Sequence, residues 1–254
     1  MMKGIDISNW QANIIPSNLN IDFCICKATE GLDFVDKFCD AFIQNCKSAG
    51  ILYGFYHFAR SGKPADEARF FYENCKGYIG EGIPVLDYEV WGVNDDVAWC
   101  EDFLKEFLHL SGIWPLLYIS ASHCRDFTNS WIPQTCGLWV AGYPTEDAYH
   151  AYKDEYGRIE GFYKGQKQKE SFADIPEMPY DIYPWEFAAI WQFTSSLVLP
   201  GYNGSLDGDL AYMDAQAWAK YARSSTQTAP AANEKKKVVL TIDGKKYAGW
   251  VREK

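Results

Sequence analysis

The chain of 254 residues is long enough for one large hydrophobic core, although length alone does not separate a single α/β barrel from two smaller domains. Its formal net charge of −10 argues against nucleic acid as a partner, because phosphate binding needs a basic surface. Apolar residues make up 48% of the chain and aromatic residues 17%, so aromatic rings remain for a binding surface, on which sugar rings stack well.

The amino end enters a strand-like pattern directly, without the apolar core of a signal peptide. No stretch approaches the roughly eighteen uncharged apolar residues that a membrane-spanning helix needs. We therefore expect a soluble protein that is made in a cytoplasm and does not insert into membranes.

Short apolar runs alternate with segments of helical periodicity along most of the chain. The runs lie at 4–8, 23–27, 53–58, 85–89, 116–120, 138–142 and 189–193. Apolar residues at spacings of three and four predict helices near 35–49, 65–79, 95–111 and 122–129, with a last helix around 212–222. This βα succession predicts a wound parallel sheet or a closed barrel.

Several of the predicted strands end in a polar or charged residue. These residues are Asp6, Lys27, His57, Asp87, Glu89 and Gln192. Barrel enzymes place their reactive groups at the carboxyl ends of parallel strands, so the set is a candidate active site. The alternative is that these strand ends are polar only because they meet solvent.

Residues 145–185 break this rhythm, since they are rich in charged residues, Tyr and Gly. We interpret them as an insertion between two strands, in which residues 159–163 could form half of a hairpin. Either the insertion is a solvated excursion or it is a lid that grips a substrate.

Polar and small residues at 224–237 predict a linker, which would separate a main domain at 1–223 from a short tail at 238–254. Asp243-Gly244 is a hairpin signal within that tail. The tail is too short to fold alone, so it would dock on the main domain, form an oligomer with other copies, or be part of a larger unit.

The eight cysteines are scattered through apolar segments rather than arranged as a disulfide framework. We expect them to be mostly buried thiols. Cys24 and Cys26 share one strand face, and no second Cys or His pair follows at the spacing of a zinc site. We therefore expect neither a metal nor a cofactor.

Asp87 and Glu89 are the strongest candidates for chemistry. On one strand their side chains would leave the same face with Cα atoms roughly 6.5 Å apart. Two carboxyl groups this close oppose each other's ionisation, so one keeps its proton and can act as a general acid. Asp-x-Glu alone is equally typical of an acidic strand end that binds a cation or caps a helix. The spacing fits both retaining and inverting glycosidases.

Seven segments in a fixed order carry a resemblance to a known family. They are GIDISNWQ at 4–11, CKATEG at 26–31, GFYHFAR at 54–60, LDYE at 86–89, WVAGY at 139–143, WQFTSS at 191–196 and GSLD at 204–207. Over residues 3–222 the chain resembles the family 25 glycoside hydrolases, the Chalaropsis-type lysozymes, and in particular their bacteriophage endolysin members.

The resemblance implies an irregular TIM-like β/α barrel that hydrolyses the β-1,4 bond between N-acetylmuramic acid and N-acetylglucosamine in bacterial peptidoglycan. It implies Glu89 as general acid, with Asp6, Asp87 and Asp207 completing an acidic cluster. The substrate's acetamido oxygen would be the nucleophile, oriented and polarised by Asp87. The competing assignment makes Asp207 or Asp6 a direct nucleophile.

Aromatic residues stand near the matched strand ends, and the resemblance places several of them against the sugar; the alternative for each is a place in the core. They are Tyr56, Tyr118, Trp139, Tyr143 and Trp191. Polar residues nearby would either hydrogen-bond the substrate or hold the carboxylates, and these are Lys27, Glu30, His57 and Gln192. We interpret His57 as a structural histidine. Two features depart from the family pattern: Asp209 stands where many relatives carry Asn, and the 145–185 insertion is longer than in most members.

Two other functions fit the same fold. A non-catalytic glycan-binding protein could use this barrel, although retention of four carboxylates argues against it. Chitin-directed barrels typically end a strand in Asp-x-Asp-x-Glu, whereas Val85 stands at the first of those positions here. Without an export signal, the sequence favours a phage-type lysin that another protein releases to the wall.

Overall fold

The computed structural model describes residues 1–89, 96–143, 150–153, 159–163, 171–173, 175, 177–223, 236–242 and 245–251. Strands and helices are numbered here in chain order. The strands are β1 (Met2–Ile7), β2 (Phe23–Glu30), β3 (Phe34–Val35), β4 (Leu52–Phe58), β5 (Ile83–Asp87), β6 (Leu116–Ser120), β7 (Leu138–Ala141), β8 (His150–Lys153), β9 (Ile159–Tyr163), β10 (Ile190–Leu197), β11 (Leu206–Ala211), β12 (Lys236–Ile242) and β13 (Lys245–Val251). The helices are α1 (Cys39–Ala49), α2 (Pro64–Cys75), α3 (Val97–Ser111) and α4 (Ala215–Ala222).

Eight strands form a closed barrel in the order β1, β11, β10, β7, β6, β5, β4 and β2, and β2 pairs again with β1. The pairs from β1 through β2, β4, β5, β6 and β7 to β10 are parallel. β11 is antiparallel to both of its neighbours, β10 and β1. The predicted barrel is therefore confirmed, and its irregularity is the single reversed strand that closes it.

Successive residues of each strand face opposite sides of the sheet, so their apolar side chains form two layers of core. Phe23, Ile25, Val85 and Leu116 belong to the layer inside the barrel. The opposite strand face packs against α1, α2 and α3, where Phe55, Phe71, Phe103 and Phe107 are buried. Burial of each such side chain stabilises the fold by about 1.5–3 kcal/mol. Trp218 of α4 packs on Phe23 at 4.9 Å, so the last helix covers the amino ends of the strands.

Local signals set the bounds of the helices. Gly50 and Gly112 follow α1 and α3 in the left-handed conformation, with φ of 72° and 73°, which ends a helix with little strain in the absence of a Cβ atom. Asp96 and Asp214 cap α3 and α4 by accepting from backbone N–H groups in the first turn. Pro64 begins α2, where its missing N–H group costs no helical hydrogen bond.

Two of the predicted helix bounds are wrong, and a third predicted helix, near 122–129, is present as a 3-10 helix at Ala121–Asn129. Phe34 and Val35 form β3, which pairs antiparallel with the end of β2, so α1 begins only at Cys39. The last helix begins at Ala215, because Asp214 caps it there. One barrel strand, β11, was not predicted as a strand.

Hairpins occupy parts of the predicted insertion and tail. In the insertion β8 pairs with β9, which contains the predicted half hairpin at 159–163. The remaining insertion residues at 145–149, 154–158, 164–170, 174 and 176 lie outside the described residues. In the tail β12 pairs antiparallel with β13, whereas Asp243 and Gly244, which carried the predicted hairpin signal, lie outside the described residues. The described part of the chain contains no helix of the length and apolarity that a membrane span requires.

All eight cysteines are free thiols with buried side chains. The sulfur atoms of Cys24 and Cys26 lie 3.8 Å apart on one face of β2. The prediction of buried thiols is therefore confirmed.

Candidate active site

A pocket of about 290 Å³ opens where the parallel strands of the barrel end. Its walls combine acidic, aromatic and amide side chains. The lining residues are Asp6, Ile7, Ser8, Trp10, Gln11, Lys27, Tyr56, Phe58, Asp87, Glu89, Tyr118, Trp139, Tyr143, Gln192 and Asp207. All four carboxylates that the family resemblance implied therefore meet in one place.

Each carboxylate is placed by the end of a strand. Asp6 of β1 pairs in register with Asp207 of the antiparallel β11, so these two residues are neighbours across the seam that closes the barrel. Asp87 is the last residue of β5, and Glu89 follows two residues later, outside the strand. The sequence had suggested that both side chains leave one strand. The pocket receives both, although only Asp87 is held by the sheet.

Burial makes this acidic cluster resist ionisation. Asp87 is 7% exposed, and burial, followed by the negative charges of Glu89 and Asp6, holds the pKa of its carboxyl well above the usual value. Burial and the charge of Asp209 likewise raise the pKa of Asp6. The Oδ1 atom of Asp87 accepts no hydrogen bond within the described part of the chain. A buried acceptor aimed at a pocket without a partner is suited to a polar group of a ligand.

An amide and two phenols connect the pocket walls. Gln192 donates from Nε2 to Asp6 Oδ2 at 2.7 Å. Its Oε1 atom accepts from the hydroxyl groups of Tyr118 at 3.0 Å and Tyr143 at 2.7 Å. The Trp139 ring lies edge-on to Tyr118 at 4.6 Å, and its Nε1 atom donates to Asp209 at 2.8 Å. These bonds fix the side chains in a single arrangement.

The only cation among the lining residues belongs to Lys27, and it points toward Glu30. Glu30 also pairs with Arg60, and it is not one of the pocket-lining residues. Burial would raise the pKa of Glu30, but hydrogen bonds from Lys27 and Arg60 outweigh it and lower the pKa. Glu30 therefore contacts Lys27 and Arg60 at the edge of the pocket.

His57 lies behind the pocket wall rather than in it. Its side chain is fully buried, with Nδ1 bound to Thr29 Oγ1 at 2.8 Å and Nε2 to Glu67 Oε2 at 3.0 Å. Burial lowers the pKa of His57, against the opposing effect of Glu67. This is the geometry of a structural histidine.

Trp191 is also separate from the pocket. Its ring is fully buried on the helix-facing side of β10, and Nε1 donates to the carbonyl of Gly142 at 2.8 Å. Successive residues of a strand face opposite sides of a sheet, so Gln192 enters the pocket and Trp191 does not.

Trp10 is a pocket residue that sequence reasoning missed. Its side chain is 85% exposed at the rim, on a 3-10 helix at Asn9–Gln11. Ser8 caps this helix through Trp10 N, and the Gln11 side chain accepts from Ser8 N. A large exposed ring beside carboxylates is suited to stacking on a sugar. The sequence signal that could have identified Trp10 is its position within the segment GIDISNWQ at 4–11.

A second pocket of about 630 Å³ continues from the first and shares Glu89, Tyr118 and Tyr143 with it. Its other walls come from the residue after β5, from the ends of β6 and β7 with the segments that follow them, and from the end of the insertion. These walls are Tyr88, Ser120, Ala121, Ser122, His123, Ala141, Gly142, Tyr180 and Asp181. Glu89 therefore stands between two adjoining pockets. A linear polymer could cross the site with one of its bonds at that carboxyl group.

The family model described as Glycosyl hydrolases family 25 matches residues 5–202. Among curated proteins, an autolytic lysozyme of Clostridium acetobutylicum is 28% identical over 185 residues, which are 68% of this chain and 56% of that protein. Lysozyme M1 of Streptomyces globisporus is 30% identical over 225 residues, which are 81% of this chain and 66% of that protein. The chain thus spans less than two thirds of either relative.

A solved structure of similar fold is the bacterial lysozyme of Streptomyces coelicolor. Its TM-score is 0.67 at 24% identity, and the match covers 87% of this chain and 96% of that chain. At this identity the likeness supports the barrel fold alone.

Proposed function

The chain belongs to family 25 of the glycosyl hydrolases, and from that membership we propose that it is a peptidoglycan hydrolase of the muramidase type. The reaction is cleavage of the β-1,4 bond between N-acetylmuramic acid and N-acetylglucosamine. The observation that carries the proposal is the meeting of Asp6, Asp87, Glu89 and Asp207 in one pocket at the carboxyl ends of the barrel strands.

Glu89 is the general acid of this proposal. It lines both adjoining pockets, so its carboxyl group faces a polymer that passes from one pocket into the other. Proton donation to the departing glycosidic oxygen requires a carboxyl group at that junction. Asp87, buried at the strand end, does not extend into the second pocket and is less suited to this role.

Asp87 orients and polarises the acetamido group of the substrate. Its Oδ1 atom, which accepts no hydrogen bond from the described residues, supplies the hydrogen-bonding position for that group. The acetamido oxygen then attacks the anomeric carbon, and no covalent bond to the enzyme is formed. The competing assignment, with Asp207 or Asp6 as nucleophile, uses the two carboxylates that face each other across the β1 and β11 seam.

The aromatic residues of the pocket bind the sugar rings. Tyr56, Tyr118, Trp139 and Tyr143 line its walls, and Trp10 extends the apolar surface at the rim. Lys27 and Gln192, which also line the pocket, supply hydrogen bonds to the sugar. The acidic, partly apolar surface suits a neutral glycan better than a polyanion.

Incubation of the protein with purified peptidoglycan tests the function directly. A muramidase releases fragments with new reducing ends, and borohydride reduction followed by acid hydrolysis converts N-acetylmuramic acid at those ends into its alcohol. Reduced glucosamine instead would indicate cleavage of the other glycosidic bond. Binding without any new reducing end would favour the non-catalytic glycan-binding alternative.

The tail is part of the same proposal. We propose a domain boundary after residue 223 and a hairpin, β12 with β13, that joins copies of the chain or attaches it to the wall. A two-stranded hairpin has too little core to be stable alone, so it needs a partner surface. Sedimentation of the whole chain distinguishes a monomer from an oligomer.

A further inference from the structure

A chain of directed hydrogen bonds runs along the floor of the pocket. Gln192 receives two hydroxyl donors at Oε1, and its Nε2 atom donates to Asp6 Oδ2 at 2.7 Å. The Asp6 carboxylate fixes this amide orientation, because only the nitrogen end can donate to it. On the other side, Trp139 Nε1 donates to Asp209 Oδ1 at 2.8 Å. The side-chain nitrogens of Gln192 and Trp139 are thus both engaged.

The link between Asp6 and Asp209 lacks a donor. Asp209 lies two residues beyond Asp207, the register partner of Asp6, so the side chains of Asp6 and Asp209 leave the same face of neighbouring strands as diagonal neighbours, and Asp209 is fully buried. Within the described residues, Asp209 Oδ2 has no donor partner. Two ionised carboxylates facing each other in a buried place would combine like-charge repulsion with an unsatisfied acceptor. One proton between them removes both penalties.

We propose that Asp6 and Asp209 share a single proton, and that Asp209 is a positioning residue that holds the Asp6 carboxyl group in the pocket. The pair carries one negative charge and one O–H···O hydrogen bond. Asp6 lines the pocket and Asp209 does not, so Asp209 acts on the substrate only through Asp6. The proton belongs to the pair rather than to either residue alone.

Burial and neighbouring charge agree with this arrangement. Burial raises the pKa of Asp6, and the charge of Asp209 adds to the rise. Burial likewise raises the pKa of Asp209, with a further contribution from Asp207. Loss of the shared proton would leave two like charges side by side in a buried place.

Asp209→Asn is the matched substitution, because an amide has the shape of a carboxyl group and carries a permanent donor. Its oxygen accepts from Trp139, and its nitrogen donates to Asp6. We expect kcat/KM of Asp209→Asn on purified peptidoglycan within about threefold of wild type at neutral pH. Asp209→Leu, which has no donor, is expected to lose at least about tenfold. An equal loss in Asp209→Asn and Asp209→Leu would overturn the positioning role.

The role in catalysis rests on the proposed function, but the shared proton is tested on the free protein. At neutral pH the infrared spectrum of the wild type contains a protonated carboxyl band that is weaker in Asp209→Asn. The control Asp102→Asn, at an exposed position, leaves the band unchanged. Should Asp209→Asn not fold, the band that remains in Asp87→Asn gives the answer, because Asp87 is the other described aspartate whose pKa burial raises. A band of equal strength in wild type and Asp209→Asn, or an Asp87→Asn variant without one, contradicts the pair.

Discussion

Gln192 and Asp6 are separated by 186 positions in the chain, yet the amide nitrogen of Gln192 donates to the Asp6 carboxylate across 2.7 Å. The bond joins β10 to β1 past the reversed strand β11 that lies between them. It therefore exists only when the barrel has closed. The acidic pocket is consequently a product of closure and not of any local segment.

Stability should depend on pH through Asp87. Its pKa is raised in the folded state by burial first, so the folded protein keeps a proton that the unfolded chain has released. Stability is then complete below the unfolded pKa and falls as pH rises toward the folded pKa. Asp87→Asn removes this contribution, by at most about 1.4 kcal/mol per pH unit.

Urea unfolding at a series of pH values from mildly acidic to mildly alkaline measures the effect. We expect the free energy of unfolding to fall less steeply with pH in Asp87→Asn than in wild type. Parallel slopes for the two proteins would mean that Asp87 is ionised in the fold.

Glu67 is predicted to stabilise the wall behind the pocket. Its carboxyl group is fully buried. It forms hydrogen bonds with His57 Nε2 and with the backbone N–H groups of Arg60 and Gly62. Glu67→Ala leaves those donors unsatisfied, which costs about 3–5 kcal/mol. The exposed Glu73, whose partner is Lys76, provides the control, because Glu73→Ala should cost less than about 1 kcal/mol.

The midpoint of chemical unfolding compares these two variants. A similar shift in both would show that the His57 and Glu67 pair contributes no more than a surface ion pair.

Trp10 should contribute to binding and not to chemistry. Loss of its exposed ring in Trp10→Ala removes about 1 kcal/mol of stacking, which corresponds to roughly a fivefold rise in KM with kcat unchanged. Phe187 is 65% exposed in a different depression, beside Trp185 and Tyr221, and Phe187→Ala is the matched control. Steady-state kinetics on soluble glycan fragments separates the two parameters. A loss of kcat in Trp10→Ala, or an equal rise in KM in both variants, would contradict this role.

The acetamido mechanism predicts dependence on the substrate's own acetyl group. A wall stripped of its N-acetyl groups should be hydrolysed far more slowly, because the internal nucleophile is absent. Chemical re-acetylation of the same wall should restore the rate. A restored rate would show that removal of the acetyl groups had not damaged the polymer. Equal rates on stripped and re-acetylated walls would instead support Asp207 or Asp6 as nucleophile.

Periodicity predicted seven of the eight barrel strands and could not predict β11. Its residues Asp207, Gly208 and Asp209 interrupt the apolar run, because the inward positions of this strand carry site chemistry instead of core. Its reversed direction also follows from pairing with β1 and β10, which are distant in sequence. The motif GSLD marked the segment but not its structure.

The residues of the site also differ in whether the sequence could predict them. Asp87 and Glu89 could be predicted from a strand end, and Asp6 and Asp207 from the family resemblance. Strict alternation along β10 would have excluded Trp191 once Gln192 was placed in the pocket. The contact of Asp209 with Trp139 joins residues 70 positions apart, and no local pattern encodes it.

The central claim is that Glu89 donates the proton to the departing sugar. The most direct test is the rate at which Glu89→Gln releases reducing ends from purified peptidoglycan, beside wild type and the exposed control Glu73→Gln. We predict a folded Glu89→Gln variant with a rate lower by about 10²- to 10⁴-fold, because the amide has no acidic proton to donate. The control should match wild type. Near-normal hydrolysis by Glu89→Gln would contradict the assignment.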